Sequence, residues 1–158
     1  MILYHGSNIE VTVPDLSMSR PFKDFGKGFY LSADKDQALR LAQQRVTIFG
    51  GAPVVNPFEF DEHVLTNNSL KVKLWEDYCE EWGQFVINNR DRNTPQPCHD
   101  YDIVYGPIAD DGVTYQIRRH LSGMLSLREM VEELKYAHGI TYQYYFGSPK
   151  ALAQLTRL

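Results

Sequence analysis

The sequence lacks most of the features that mark a secreted or membrane protein. Only two of its 158 residues are cysteines, Cys79 and Cys98, which is too few for a disulfide framework, and their spacing does not suit a metal. The segment from Met1 to Gly6 has neither a charged leader nor an apolar run long enough for a signal peptide or a membrane span. These absences predict a cytoplasmic protein that has no membrane partner.

Basic residues are also fewer than acidic residues. Lysine and arginine together number 16 against 20 aspartates and glutamates, so the formal net charge is −4 at pH 7. A protein that coats nucleic acid non-specifically needs a broad positive field. The composition therefore argues against that class of function, although it leaves room for a local basic patch.

Apolar and aromatic residues are plentiful, at 43% and 13% of the chain. A chain of this length can bury one hydrophobic core but is too short for two cores of ordinary size, so we expect one domain over residues 1–158. Strand-like and helix-like segments are mixed without a regular βαβ alternation. This arrangement predicts an α+β fold whose sheet is largely antiparallel.

The first fifty residues predict two short strands, a long loop and a helix. Ile2 to Tyr4 is expected to be a buried strand that ends at His5-Gly6, and Phe29 to Ser32 is expected to be the second strand. Residues 7–27 lack periodicity and contain prolines and glycines, which predicts an irregular loop of a length that is uncommon without a function. Asp34 is a candidate N-cap for the helix. Four apolar residues at helical spacing predict its buried stripe: Ala38, Leu41, Ala42 and Val46.

The rest of the chain predicts further elements of both kinds. Pro53 to Phe60 and Leu70 to Trp75 alternate like strands around a polar turn and are expected to pair as a hairpin. The stretch from Asp77 to Asn89 has helical periodicity. Later elements are indicated by strand patterns or capping residues: strands at Tyr101 to Tyr105 and Ile140 to Phe146, a capping box at Ser126 and Glu129, and a helix start at Ser148-Pro149.

Two short motifs carry the functional signal. The first is His5-Gly6-Ser7, and the second is the segment from Phe25 to Tyr30, which reads Phe-Gly-Lys-Gly-Phe-Tyr. The second motif fails the Rossmann dinucleotide fingerprint, because Leu31 stands at the third glycine position and no strand precedes it. A Rossmann site is therefore not expected.

Together these motifs resemble those of ADP-ribosyltransferases of the His-Tyr-Glu type, whose His-Gly-Ser/Thr and Phe-Gly-x-Gly-x-Tyr strands form an NAD cleft. The sequence is more similar still to a bacterial family of unknown function, DUF3990, through four segments in the same order. These segments are Tyr4 to Ser7, Asp24 to Leu31, His99 to Val104 and Gln143 to Phe146. The resemblance implies an ADP-ribosyltransferase-like fold, in which split, largely antiparallel sheets and flanking helices surround the NAD cleft.

The resemblance also implies a reaction and its residues. NAD would be the co-substrate, and one ADP-ribose would pass to a macromolecular acceptor, which is a protein or a nucleic acid. His5 would hydrogen-bond a ribose hydroxyl, Gly6 would bind the carboxamide through its backbone, and Tyr30 would stack on nicotinamide. Gln143 would be the third catalytic residue. Further contacts to NAD are expected from Ser7, Gly28, Arg20, Lys23 and Lys27, the last three through the pyrophosphate.

Two positions depart from the pattern of the resembled enzymes. Gln143 stands where they have Glu, and an amide can hold a hydroxyl but cannot act as a general base. This argues against poly-ADP-ribosylation and leaves single transfer, NAD hydrolysis and NAD or ADP-ribose binding without turnover as alternatives. Leu41 stands where an aromatic residue often covers nicotinamide, and the helical period explains it as a core residue.

The remaining interpretations concern the biological role, metals and a non-enzymatic protein. The resemblance implies a bacterial toxin or defence effector that a cognate antitoxin or a neighbouring gene product regulates. No metal is expected, because His63, His120 and His138 share no helical spacing with an acidic partner, and acidic pairs such as Asp110-Asp111 are more often caps and turns. A structural or partner-binding domain with a buried His5 remains the third alternative.

Overall fold

The computed structural model describes residues 1–137 and 139–158, so His138 lies outside the described residues. Within these ranges the chain forms seven β-strands and five α-helices. In chain order they are β1 (Ile2–Ser7), β2 (Phe29–Leu31), α1 (Lys35–Phe49), β3 (Val54–Phe60), β4 (Val72–Leu74), α2 (Glu80–Arg90), β5 (Ile103–Pro107), α3 (Asp111–Leu121), α4 (Leu127–Ala137), β6 (Tyr142–Phe146), α5 (Pro149–Leu152) and β7 (Leu155–Arg157). None of these helices is long and apolar enough to cross a membrane.

The strands form two sheets, with the orders β1-β3-β7 and β2-β6-β5-β4. Every pairing is antiparallel except that of β4 with β5. The two sheets are joined by reciprocal backbone hydrogen bonds between Tyr4 and Ser32, at 2.7 and 2.9 Å. The predicted α+β fold with split, largely antiparallel sheets is confirmed.

The predicted hairpin of residues 53–60 with residues 70–75 is wrong. β3 is the central strand of the first sheet, whereas β4 lies at the edge of the second sheet, beside β5. Between them lies a short 3-10 helix, Glu62–Leu65, which is capped by Asp61 and buries Val64. This helix leads the chain out of the first sheet. Alternation predicts which face of a strand is buried but does not identify the neighbouring strand.

The predicted helix starts are confirmed, and one helix was not predicted. Asp34 caps α1, Ser126 and Glu129 form the capping box of α4, and Ser148 caps α5. Asp110 caps the unpredicted helix α3 by accepting a hydrogen bond from the Val113 amide at 3.0 Å. α3 buries Val113 and Ile117, which stand four residues apart, so the helical spacing was present in the sequence but was not recognised.

The core consists of two apolar clusters on opposite faces of β6. Phe146 packs with residues of both sheets, including Leu3 and Phe58, whereas Tyr145 packs with residues of α2, α3 and α4, including Trp82. Successive residues of a strand point to opposite faces. Gln143 therefore lies on the face of β6 that the helices cover, two residues before Tyr145.

We predict that Gly28 is required by packing beside β6. A β-carbon at this position would lie 2.1 Å from Cε2 of Tyr145 and 2.9 Å from the Phe146 carbonyl oxygen. Gly28→Ala should therefore lower the free energy of unfolding in urea by roughly 1–3 kcal/mol. In the control Gly112→Ala, in the first turn of α3, the nearest added contact is 3.4 Å, so stability should stay the same or rise. A Gly28→Ala protein as stable as the wild type would contradict this prediction.

Candidate functional site

A cleft of about 810 Å³ lies at the ends of the two sheets, where helices α1 and α3 also line it. This volume is in the range of small-molecule binding sites. The structure brings together on its wall five of the residues singled out in the sequence: His5, Gly6, Arg20, Tyr30 and Gln143. Lys23, which was expected to contact the pyrophosphate, lies on the same wall.

Three other predicted NAD contacts lie away from this wall. Ser7 is buried, and its hydroxyl is 3.4 Å from the Ile9 amide. Gly28 packs against Tyr145, and Lys27 borders a second cavity of about 600 Å³. The chain turns at Gly26, whose φ of 91° is left-handed, and this turn separates Lys27 from the residues that line the cleft.

His5 is held in one orientation and one protonation state. Its Nδ1 lies 2.8 Å from the Tyr30 carbonyl oxygen, which can only accept, so Nδ1 carries the proton. Burial, with smaller contributions from the charges of Arg45 and Lys23, lowers the pKa of His5 from 6.5 to about 4. The imidazole is therefore neutral at pH 7, and its Nε2 is a bare acceptor that suits a ligand hydroxyl.

Tyr30 presents its ring to the cleft while its hydroxyl is fully occupied. The hydroxyl donates to the Gly26 carbonyl at 2.6 Å and accepts from the Phe25 amide at 3.1 Å. Burial, with the charge of Asp24, raises the pKa of Tyr30 well above its usual value of 10, so this group does not serve as an acid or base near neutral pH. The Lys23 ammonium lies 5.0 Å from the ring centroid and makes a cation–π contact.

Gln143 contacts a buried carboxylate that the sequence motif contained but to which no role was given. Its Nε2 donates to Oδ2 of Asp24 at 2.9 Å. Asp24 also forms an ion pair with Arg90, at 2.8 Å. Arg90 was missed at the sequence level, because it is 66 residues from Asp24 and ends a helix that reads as core.

Three cations on the cleft wall form a cluster, namely Arg20, Lys23 and Arg45. Burial, together with the nearby charges of Arg45 and Arg20, lowers the pKa of Lys23 to about 8. Within the part of the chain that the structure describes, none of the three forms an ion pair with a carboxylate. Such a cluster suits an anionic ligand with more than one charge, such as a diphosphate.

The prediction that Leu41 belongs to the core is wrong. Leu41 is 45% exposed and lines the cleft, whereas Ala38 and Ala42 are buried. A β-carbon on Gly6 would lie 2.0 Å from the Ala38 carbonyl oxygen, so the small residues on both sides let α1 pack closely on β1. This contact turns the face with Leu41 and Arg45 toward the cleft, and it gives Gly6 a packing role independent of any ligand.

The acidic segments singled out in the sequence are held by structural contacts. His99 donates from Nε2 to the Phe25 carbonyl at 2.7 Å and accepts at Nδ1 from the Tyr101 amide at 3.1 Å. Both of its ring nitrogens are therefore occupied, and Asp110 caps α3. Among residues 1–137 and 139–158, no three His, Cys, Asp or Glu side chains are grouped as metal ligands.

Comparison with known families identifies the chain. The sequence model of one family, described as protein of unknown function (DUF3990), matches residues 1–156. The chain belongs to the DUF3990 family. The predicted similarity to DUF3990 is thereby confirmed, while the family's description assigns no activity. No curated protein and no solved structure matches this DUF3990 chain significantly.

We predict that the protein loses stability as the pH falls because His5 must become charged. A histidine whose folded pKa lies below its unfolded value stabilises the fold above pH 6.5, and this contribution disappears as the pH falls toward the folded pKa of about 4. The loss of unfolding free energy between about pH 7.5 and about pH 5 should be about 2 kcal/mol larger in the wild type than in His5→Gln. Urea titrations at both pH values measure this difference, and equal losses in the two proteins would refute it.

Proposed function

We propose that this DUF3990 protein binds NAD in the cleft and transfers a single ADP-ribose to a macromolecular acceptor. The observation that carries the proposal is the convergence, on one wall, of neutral His5, the ring of Tyr30 and the amide of Gln143 beside a cluster of unpaired cations. These are the three residues that the resemblance to ADP-ribosyltransferases selects. They come from three strands of two different sheets.

The polar groups suit the sugar and the ring of NAD. Breaking the bond between nicotinamide and ribose places oxocarbenium character on the sugar, so the ribose must be held firmly while positive charge develops. In the proposed complex, Nε2 of His5 accepts a hydrogen bond from a ribose hydroxyl and Gln143 holds a second polar group of the sugar. Nicotinamide stacks on the ring of Tyr30 and displaces the Lys23 ammonium from it.

The cation cluster of Arg20, Lys23 and Arg45 suits the diphosphate. Two phosphates carry two negative charges, and arginine binds phosphate oxygens through paired hydrogen bonds. The released Lys23 ammonium remains next to both arginines, whose charges already lower its pKa. A bound diphosphate would relieve this repulsion.

A second candidate function is NAD binding without turnover, and one observation favours it. Asp24 is the only carboxylate on the cleft wall in the described ranges, and its oxygens are engaged by Arg90, Ala109 and Gln143. No free carboxylate is therefore available there to activate an acceptor. NAD hydrolysis is the intermediate case, because water then replaces the macromolecular acceptor.

The proposal predicts that the purified protein binds NAD in a calorimetric titration and releases nicotinamide, which chromatography of the same sample detects. Binding with release supports glycosidic cleavage, and transfer is then tested with labelled NAD and cell extract. Release that does not depend on any acceptor indicates a glycohydrolase. Binding without release, even with extract, favours the non-catalytic module, and the absence of binding refutes the proposal.

We further predict that Arg45→Gln weakens NAD binding about tenfold, because one charge-assisted contact to the diphosphate is lost. Binding of free nicotinamide should not change, since nicotinamide has no phosphate. Arg40→Gln is the matched control on the same helix, because Arg40 pairs with Asp34 and is absent from the cleft wall. Equal effects of the two variants on NAD affinity would contradict the assignment of the diphosphate to this cluster.

A further inference from the structure

Asp24 differs from the other charged residues of the cleft wall in the sign of its charge. It is the only carboxylate on a wall that also carries six arginines and lysines, in the part of the chain that is described. It also touches Gln143, which stands where the resembled enzymes have a glutamate. We infer that Asp24 is a positioning residue that holds and polarises the Gln143 amide, so that the pair replaces the missing glutamate; this inference rests on the proposed function.

The hydrogen bonds of Asp24 fix its carboxylate completely. Oδ1 accepts from Nε of Arg90 at 2.9 Å and lies 2.8 Å from Nη2 in the ion pair, while Oδ2 accepts from the Ala109 amide and from Nε2 of Gln143, both at 2.9 Å. Arg90 is itself held by the Thr114 hydroxyl at 3.0 Å and the Ala109 carbonyl at 3.1 Å. The carboxylate therefore has no freedom to rotate away from Gln143.

This contact determines which end of the Gln143 amide is free. A carboxylate can only accept, so the NH₂ group of Gln143 must face Asp24 and the amide cannot turn over. Oε1 is then the end that remains available to a ligand. Hydrogen bonding of the NH₂ group to an anion draws negative charge onto Oε1, because linked hydrogen bonds polarise one another.

A more negative Oε1 is what the proposed reaction requires. It accepts a hydrogen bond from a ribose hydroxyl and lies beside a sugar that becomes positively charged as nicotinamide leaves. Arg90 forms an ion pair with Asp24 and compensates the charge of this buried carboxylate. Asp24 therefore acts through Gln143 and does not need to touch the substrate.

The contact between Asp24 and Gln143 makes Gln143→Glu an unfavourable substitution. Gln143→Glu installs the residue of the resembled enzymes, yet it places a second carboxylate at hydrogen-bond distance from Asp24. Two carboxylates at this distance cannot both ionise, so the pKa of one rises. The change should therefore fail to improve the protein.

The experiment compares the wild type, Gln143→Glu and Asp24→Asn. We expect each single variant to lower kcat for nicotinamide release at least tenfold, while the KM for NAD changes less than threefold. The control Gln43→Glu makes the same chemical change on an exposed position of α1 that is absent from the cleft wall, and it should keep wild-type kcat.

Unfolding in urea provides a readout that does not depend on activity. A carboxyl group whose pKa is raised by folding stabilises the fold at low pH and destabilises it as the pH rises through the folded pKa. The stability of Gln143→Glu should therefore fall between acid and neutral pH relative to Gln43→Glu. If Asp24→Asn does not fold because Arg90 loses its partner, Gln143→Glu and Gln43→Glu still make the comparison.

The outcomes separate the inference from the proposed function. A wild-type protein that neither binds NAD nor releases nicotinamide overturns the proposed function, and the reaction role of Asp24 with it. An active wild type combined with a fully active Gln143→Glu overturns the inference alone. The inference is also overturned if the stability of Gln143→Glu does not depend on pH.

Discussion

The ion pair between Asp24 and Arg90 connects the segments from which the cleft is built. Asp24 belongs to the irregular loop before β2, Arg90 ends α2, and the pair extends through Ala109 and Thr114 to the start of α3. Removing one partner of such a pair leaves an uncompensated buried charge, which costs roughly 3–5 kcal/mol. The loop therefore keeps a fixed path although it has almost no secondary structure of its own, and this path places Lys23 and Tyr30 on the cleft wall.

Charge is distributed unevenly over this protein. The chain as a whole is acidic, yet its cleft carries six basic side chains against one carboxylate in the described ranges. A positive cleft in an acidic protein concentrates small anions at the site while the outer surface repels large polyanions. This separation is compatible with a nucleotide co-substrate. It also explains why the net charge alone says little about the ligand.

The sequence allowed the fold class, most helix starts and the central residues of the cleft to be predicted, because these depend on local patterns. Asp34, Ser126 and Ser148 mark helix starts through side-chain contacts within three residues, and such contacts are visible in a sequence. The partner of β3 and the pair of Asp24 with Arg90 depend on long-range contacts, which no local pattern records. Arg45 was missed and Leu41 was assigned to the core for one reason: the helical period shows which residues share a face, but does not show whether that face meets the core or a cavity. The signal in the sequence was the pair of apolar residues near the end of α1, Ile48 and Phe49, which lie outside the predicted buried stripe. Both are exposed in the structure.

Because Gly6 closely contacts the backbone of Ala38, the two faces of α1 differ in the substitutions that they tolerate. The face of Ala38 and Ala42 tolerates no larger side chain, because the helix would be pushed away from β1. The opposite face, with Leu41 and Arg45, borders the cleft and carries no such restriction. Substitutions on this one side of α1 can therefore change the lining of the cleft while the fold that presents them stays the same.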